Sequence, residues 1–293
     1  MPSTITLRRK IRSIGNTKQI TRAMQMVAAS KMRRAQEAVT GTRAYAKQGT
    51  EIMARLQRAL QGEEQIMHPL LTQRSVMRIA LVVVASDRGL AGGYNANVTK
   101  KALQFLATNK DKQVSVITIG RKAQDALARA GVALAASFTN FPDRPVSADV
   151  LPVAKLTIDA FLGTEYDQVT VIYTKFYSTL RQVAEEKQIL PIKFDAIPID
   201  DNEQSTSAVS YVFEPAANKV LEYILPRMVL MQLLQTILES IASEHSSRMI
   251  AMKNATDNAT ELLGDLRLTY NGIRQANITQ EIAEISAGAN VAS

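Results

Sequence analysis

Apolar residues near the amino terminus recur at steps of three and four positions, the spacing of one face of an α-helix. Residues 3–60 contain no proline, so we predict a single amino-terminal helix as a domain of residues 1–60. A helix of that length spans roughly 80 Å, too long for one compact globule to bury. Its predicted apolar seam consists of Leu7, Ile11, Ile14, Ile20, Met24, Val27, Ala28, Met32, Ala35, Val39, Met53, Leu56 and Leu60.

The carboxyl-terminal part of the chain carries a second seam. Its steps average about 3.5 residues, the heptad period of a left-handed coiled coil. We therefore predict a helix as a domain of residues 210–288, paired antiparallel with the first helix in a long coiled coil. The seam is predicted to contain Ile224, Met228, Met231, Leu234, Leu238, Ile241, His245, Met249, Met252, Ala255, Ala259, Leu262, Leu266, Tyr270, Ile273 and Asn277.

The middle of the chain, residues 75–200, has a different pattern. Short β-branched runs predict buried strands, and helical patterns lie between them. This alternation predicts an inserted parallel α/β domain of Rossmann-like type. The strands are predicted at residues 78–86, 114–120 and 168–174, the helices at 96–109, 121–130 and 147–162, and a further strand or hairpin at 180–190 with 194–198.

Charge is distributed unevenly along the chain. Residues 1–50 hold 11 Lys and Arg against the single acid Glu37, whereas the whole chain carries 35 bases and 27 acids. Such a basic block is typical of a surface that binds an acidic partner. The chain has no Cys or Trp, which excludes disulfides and thiolate zinc sites. We also expect no apolar run long enough to span a bilayer.

Residues 86–97, SDRGLAGGYNAN, form a glycine-rich turn between a predicted strand and a predicted helix. Turns of this kind can hold phosphates, but the glycine spacing matches neither the dinucleotide fingerprint nor the P-loop. The two histidines, His68 and His245, have no metal-ligand spacing. Neither Glu185-Glu186 nor Asp200-Asp201 makes a convincing acid–base pair. We therefore predict no catalytic residues, no metal site and no cofactor.

Three long stretches resemble the gamma subunit of the bacterial F-type ATP synthase. They are residues 11–36, residues 86–98, and residues 243–263 with 270–290, and the resemblance extends over essentially the whole chain. It implies a central rotor shaft that couples proton flow through the membrane c-ring to conformational cycling of the catalytic beta subunits. Catalysis would then belong to the partner subunits.

The resemblance also implies which residues contact partners. Basic residues around Met24 would face an acidic segment of beta, and a polar group near the carboxyl terminus would contact the alpha–beta ring or be coupled to Met24. Two residues further back would contact the c-ring. The ring contacts are Lys18, Arg22, Met24, Arg33, Arg34, Arg274, Gln275, Thr279 and Glu281, and the c-ring contacts are Tyr211 and Glu214.

The implied partners are the alpha and beta subunits, the epsilon subunit and the c-ring. The implied location is peripheral, on the cytoplasmic face of the cell membrane. Two other classes remain open from the residues alone. The basic amino-terminal helix suits a coiled-coil protein that binds nucleic acid, although Tyr45 is its one aromatic residue in the first fifty. The central α/β domain suits a nucleotide-dependent enzyme, although it lacks phosphate-binding motifs.

Overall fold

The structure is a computed structural model that describes residues 4–59, 68–192 and 217–292. Side chains are described at residues 4–42, 68–192 and 219–286. The helices are α1 (Thr4–Ala59), α2 (Tyr94–Thr108), α3 (Arg121–Arg129), α4 (Ser147–Leu162) and α5 (Ala217–Ala292), with a short 3₁₀ helix at Pro69–Leu71. The strands are β1 (Arg78–Val84), β2 (Gln113–Ile119), β3 (Leu134–Phe138), β4 (Gln168–Phe176) and β5 (Gln182–Leu190).

The chain divides into two compact units. The first, the helical pair, comprises Met1–Ala29 and Arg248–Ser293, and the second, the α/β unit, comprises Ser30–Ser247. Helix α1 contributes its first half to the helical pair and the remainder to the α/β unit. Helix α5 contributes its residues up to Ser247 to the α/β unit and those from Arg248 onward to the helical pair. The predicted fold class, long terminal helices with an inserted α/β domain, is confirmed.

The α/β unit is built on a five-stranded sheet in the order β3-β2-β1-β4-β5. Strands β1 to β4 pair in parallel and β5 pairs antiparallel with β4. The three predicted strands and three predicted helices are all present. Strand β3 was not predicted, because its five residues, LAASF, alternate between half-buried and exposed and give a weak pattern. The candidate segment at 180–190 contains the antiparallel edge strand β5, and its predicted companion at 194–198 lies outside the described residues.

Both faces of the sheet are covered, which explains the unbroken apolar run in β1. Ala80, Val82 and Val84 belong to a core shared with α1, α4 and α5, whereas Leu81 and Val83 belong to a second core under α2 and α3. Because successive strand residues point to opposite faces, a strand covered on both sides needs apolar residues at every position. The core thus includes Ala35, Ala38 and Val39 of α1 and a run of α5 side chains from Leu221 to Ala242.

Helix α5 is the one helix, among those described, that reaches the hydropathy of a membrane span by length and composition. An 18-residue window between Lys219 and Ser286 has a mean hydropathy of 1.2, and half of that window is buried inside the protein. We expected no apolar run long enough to span a bilayer, and by length and composition this expectation is wrong for α5. A core helix is apolar because its side chains are buried inside the protein. The α5 residues from Leu221 to Ala242 are buried in this way, in the core of the α/β unit.

Asp167 joins the start of β4 to the start of β1. Its Oδ2 accepts hydrogen bonds from the backbone N–H groups of Met77 (3.1 Å) and Arg78 (2.8 Å), and its Oδ1 lies 3.0 Å from Arg78 Nη2. The residue is only 5% exposed. Burial by itself raises the pKa of Asp167, but the hydrogen bonds and charge of Arg78 with the Met77 amide bring that pKa below its ordinary value. A carboxylate held by several N–H donors is favoured in its charged form.

We predict that Asp167→Asn lowers the free energy of unfolding of the α/β unit by about 2 kcal/mol at neutral pH, since it removes charge-assisted hydrogen bonds from a buried site. The native pKa of Asp167 lies below its unfolded value, so its contribution is present above about pH 4 and lost as pH falls through the native pKa. Urea unfolding at neutral pH and near pH 3 measures this. The exposed Asp159→Asn is the control, and equal effects of the two changes at neutral pH would contradict the assignment.

Candidate partner interface

Two hydrogen bonds fix the register of the helical pair. The Thr256 hydroxyl on α5 lies 2.8 Å from the Thr21 hydroxyl on α1, and Arg8 Nη2 donates to the Tyr270 hydroxyl at 2.8 Å. From Arg8 to Thr21 the residue numbers of α1 increase, while those of their partners on α5 decrease from Tyr270 to Thr256. The two helices therefore run antiparallel. Thr21 and Thr256 are each 8% exposed, which places this polar contact inside the seam.

The buried positions of α5 in the helical pair are Arg248, Met252, Thr256, Ala259 and Leu263, and their steps of four, four, three and four are those of a heptad seam. The predicted seam is wrong at Leu262, which is 47% exposed. Prediction followed apolar residues and passed over Thr256. A threonine is accepted in the seam because its hydroxyl is also 2.8 Å from the carbonyl of Met252, one turn back, and so is not left unpaired.

The same shift occurs on α1. Ile20 and Val27, which the sequence pattern placed in the seam, are 60% and 56% exposed. The buried positions are Leu7, Thr21 and Ala28. Because polar Thr21 occupies the seam, the apolar side chains beside it remain on the surface. Met26, at 62% exposed, adds to this apolar surface.

The structure places the predicted contacts of α1 at half-buried or exposed positions. Lys18 and Met24 are half-buried, and Arg22 is exposed. Arg33 and Arg34, which belong to the α/β unit, are exposed. These placements agree with surface positions able to meet a partner. They leave the roles of the five residues as predictions.

The predicted contacts near the carboxyl terminus all lie on exposed turns of α5. Arg274, Gln275, Thr279 and Glu281 are exposed, as is every residue from 274 to 286. The Thr279 hydroxyl donates to the Gln275 carbonyl at 2.9 Å, so its methyl group and the neighbouring side chains form the surface. Three isoleucines share these turns, with exposures of 46%, 62% and 74%: Ile278, Ile282 and Ile285.

Met24 and Thr279 do not lie near each other. Since Thr21 is opposite Thr256, Met24 lies at the level of residues just before Thr256. Thr279 is then about 40 Å further along α5 at 1.5 Å per residue. A coupling between these positions cannot be a direct contact and would have to pass through a partner or through the helices. Tyr211 and Glu214 lie outside the described residues.

Polar groups of the glycine-rich turn, residues 86–97, form hydrogen bonds within the turn and with neighbouring segments of the α/β unit. Ser86 N–H donates to Asn95 Oδ1 at 3.1 Å, while the Asp87 carboxylate accepts from the backbone N–H groups of Arg121 (3.0 Å) and Asn140 (2.9 Å). Gly120 packs against the turn with φ +94°, and a Cβ there would lie 2.2 Å from the Ala85 carbonyl oxygen. The turn is thereby held as a structural connection between β1 and α2.

Both histidines have structural partners. His68 Nδ1 accepts from the Leu70 N–H at 3.2 Å and caps the 3₁₀ helix. His245 is 4% exposed, and its Nε2 lies 3.5 Å from Asp143, which also pairs with Lys31 at 2.6 Å. Burial alone raises the pKa of Asp143, but the hydrogen bond and charge of Lys31, with His245, lower that pKa below its ordinary value. These three residues line a cavity of about 320 Å³.

Within the described ranges 4–42, 68–192 and 219–286, no group of three or more His, Cys, Asp or Glu side chains is placed to hold a metal ion. The described residues instead form an antiparallel helical pair with exposed basic residues on α1 and exposed apolar turns on α5. They define the class of an α/β protein whose terminal helices form a coiled coil.

Comparisons with known proteins identify the family. The family model described as ATP synthase matches residues 3–291. The chain is 46% identical to the ATP synthase gamma chain of Roseiflexus sp. (strain RS-1), over 99% of this chain and 98% of that one. It is 44% identical to the ATP synthase gamma chain of Chloroflexus aurantiacus (strain ATCC 29366 / DSM 635 / J-10-fl), over 99% and 98%.

Solved structures share the fold. A chain of the Euglena gracilis mitochondrial ATP synthase (OSCP/F1/c-ring, rotational state 3) matches with a TM-score of 0.66 at 17% identity, over 98% of this chain and 94% of that one. A chain of the Tetrahymena thermophila mitochondrial ATP synthase (central stalk/c-ring) matches with a TM-score of 0.60 at 24% identity, over 80% and 99%.

The chain belongs to the ATP synthase gamma chain family. Its function is that of the gamma chain of an ATP synthase, and it acts as a subunit of that complex. The comparisons give no support to the nucleic-acid-binding interpretation.

We predict that Thr21→Val and Thr256→Val each destabilise the helical pair by about 1 kcal/mol, because each leaves one seam hydroxyl without its cross-helix partner. The double variant is expected to lose less than the sum, since two packed valines need no partner. Thermal unfolding followed by far-UV circular dichroism measures both. The exposed Thr17→Val is the control. Strictly additive losses would contradict a cross-helix hydrogen bond.

Proposed function

We propose that this chain is the central rotor shaft of an F-type ATP synthase and couples proton flow through the membrane c-ring to the conformational cycle of the catalytic beta subunits. The observation that carries the proposal is the family match over residues 3–291, joined to an antiparallel helical pair with exposed apolar turns. A shaft acts by making different contacts with each surrounding subunit, which biases each catalytic site toward a different conformation.

The exposed turns of α5 support a contact with a surrounding ring of alpha and beta subunits. Ile278, Ile282 and Ile285 follow steps of four and three, so they form one stripe of a helix. Their exposures of 46% to 74% make a surface of the kind that partner chains cover. Arg274 and Gln275 lie one turn before the stripe, where they would bind a loop of a beta subunit.

The basic face of α1 suits an acidic lever segment of beta. Lys18 and Arg22 precede Met24 on the part of α1 that belongs to the helical pair, and Arg33 with Arg34 would be further basic contacts along the same helix. Exposed ion pairs contribute only about 0–1 kcal/mol each, so a track of several weak contacts attracts and orients the partner without trapping the rotor in one position. Thr279 and Glu281 would be coupled to Met24 through the surrounding subunits.

The remaining partners and the location complete the proposal. Tyr211 and Glu214 would contact the polar loops of the c-ring, and the α/β domain of residues 75–200 would meet the epsilon subunit. The helical domains would comprise residues 1–60 and 210–288. The chain would then lie on the cytoplasmic face of the membrane, held there through the c-ring. Catalytic residues would be supplied by the alpha and beta subunits.

Co-expression with the alpha and beta subunits of the same organism tests the proposal. We expect size-exclusion chromatography to give a large complex with one copy of this chain and ATPase activity. Removal of residues 279–293 is expected to lower that activity severalfold, because the exposed apolar turns are lost. Failure to co-elute, with no effect on alpha–beta activity, would refute the rotor assignment.

Met24→Lys tests the contact of α1 with beta. We expect the added ammonium group to form one new ion pair in one rotary position, a bias of up to about fivefold for a pair worth about 1 kcal/mol. Proton pumping per ATP hydrolysed should therefore fall. The assay compares ATP-driven proton uptake with hydrolysis in vesicles. Met26→Lys, on another side of the same helix and 62% exposed, is the matched control. A wild-type ratio for Met24→Lys would refute this contact.

A further inference from the structure

Three serines of α5 are fully buried where an apolar helix face would be expected. Ser240, Ser243 and Ser246 are each 0% exposed, although the helix beside them carries Ile237, Leu238 and Ala242 in the core. Steps of three place the serines along one side of the helix. Burying a hydroxyl is unfavourable unless it has a hydrogen-bond partner. The partners of the three serines therefore indicate the role of this face of α5.

Ser240 and Ser243 hold both backbone groups of a single residue at the carboxyl end of β4. The N–H of Thr174 donates to Ser240 Oγ at 3.3 Å, and Ser243 Oγ donates to the carbonyl of Thr174 at 3.0 Å. Ser240 and Ser243 therefore bind the two peptide groups on either side of the Thr174 Cα atom. Thr174 is itself 4% exposed, which excludes competing water from the contact.

Ser246 and Ser240 also form hydrogen bonds with the β4–β5 segment and with α2. Ser246 Oγ donates to the carbonyl of Thr179 at 2.7 Å, in the connection between β4 and β5, and accepts from Gln182 Nε2 at 3.2 Å. Ser240 Oγ also lies 2.7 Å from the hydroxyl of Tyr94 at the start of α2. We name the set Ser240, Ser243, Ser246 and Tyr94 the hydroxyl clamp.

Directionality distinguishes these contacts from the apolar ones around them. Apolar burial is non-directional, so packing alone would let α5 turn slightly about its axis at small cost. Hydrogen bonds weaken steeply once their angles fall below about 120°. Rotating α5 about its axis moves all three serine oxygens sideways relative to the strand, and therefore breaks the bonds together.

We propose that the hydroxyl clamp is the joint that transmits torque between α5 and the α/β domain. The inference rests on the proposed rotor function, in which the α/β domain receives the rotation and α5 carries it to the catalytic subunits. Apolar packing supplies the stability of the joint, and the clamp fixes its angular register. Each hydrogen bond favours the registered state about fivefold, and several on one helix act together against slippage.

The test uses the complete synthase reconstituted in lipid vesicles, with this chain carrying Ser240→Ala, Ser243→Ala and Ser246→Ala together. Proton pumping per ATP hydrolysed is measured at increasing opposing proton gradients. The expected result is a ratio that falls with the gradient more steeply than in the wild type, by about fivefold or more at the highest load. Ser247→Ala, on the same helix but outside the clamp, is the matched control and should retain the wild-type ratio.

Two milder variants, Ser246→Ala and Tyr94→Phe, are measured in the same way, and they decide the question if the triple variant does not assemble. A smaller, load-dependent fall in either would support the clamp. Wild-type ratios at every gradient in the assembling variants would overturn it, including the case where stability and both rates decline in proportion. A wild-type chain that does not assemble or pump would instead refute the proposed rotor function.

Discussion

A very long helix must bury its apolar face against another helix, and this constraint governs the whole chain. Helices α1 and α5 contain 56 and 76 residues, or contour lengths of roughly 80 and 110 Å. No domain of this size has a core that deep, so each helix needs the other over part of its length. An isolated helix is only marginally stable in water, and a helix in a protein gains most of its stability from such packing. In sequence, the strands and the shorter helices lie between these two long helices.

The seam between the helices contains one polar pair where two apolar residues would be more stable. Thr21 meets Thr256 inside the seam, and the exposed Arg8 lies against Tyr270 with its guanidinium 5.8 Å from the ring centroid. A polar group in a coiled-coil seam costs stability but specifies register. The same choice recurs in the α/β unit, where serines of α5 bind backbone groups of β4. In both places, apolar contact holds the elements together and hydrogen bonds fix their alignment.

Periodicity predicted the large elements, since it reports how many residues are buried and at what spacing. It identified both helices, three of the strands and the inserted domain. It could not identify polar residues that belong to the interior. Thr21 and Thr256 are indistinguishable from surface threonines until their partner is known, so the seam was assigned wrongly to Ile20, Val27 and Leu262. The Asp167 contact with β1 was equally hidden, since it joins residues about 90 positions apart.

The candidate interface residues were predicted on a different basis and remain predictions. Its residues were named from resemblance to a family, and the structure adds only that most of them are exposed. Exposure is informative for the apolar ones. Ile278, Ile282 and Ile285 lie beyond the level of Thr4, where the described part of α1 begins, and they are exposed on a single helix. Burying three such side chains on a partner is worth about 1.5–3 kcal/mol each. The free energy available there exceeds that of any exposed ion pair on α1. Under the proposed function, the carboxyl-terminal turns would supply the affinity for the surrounding subunits, and the basic residues of α1 would supply attraction and orientation.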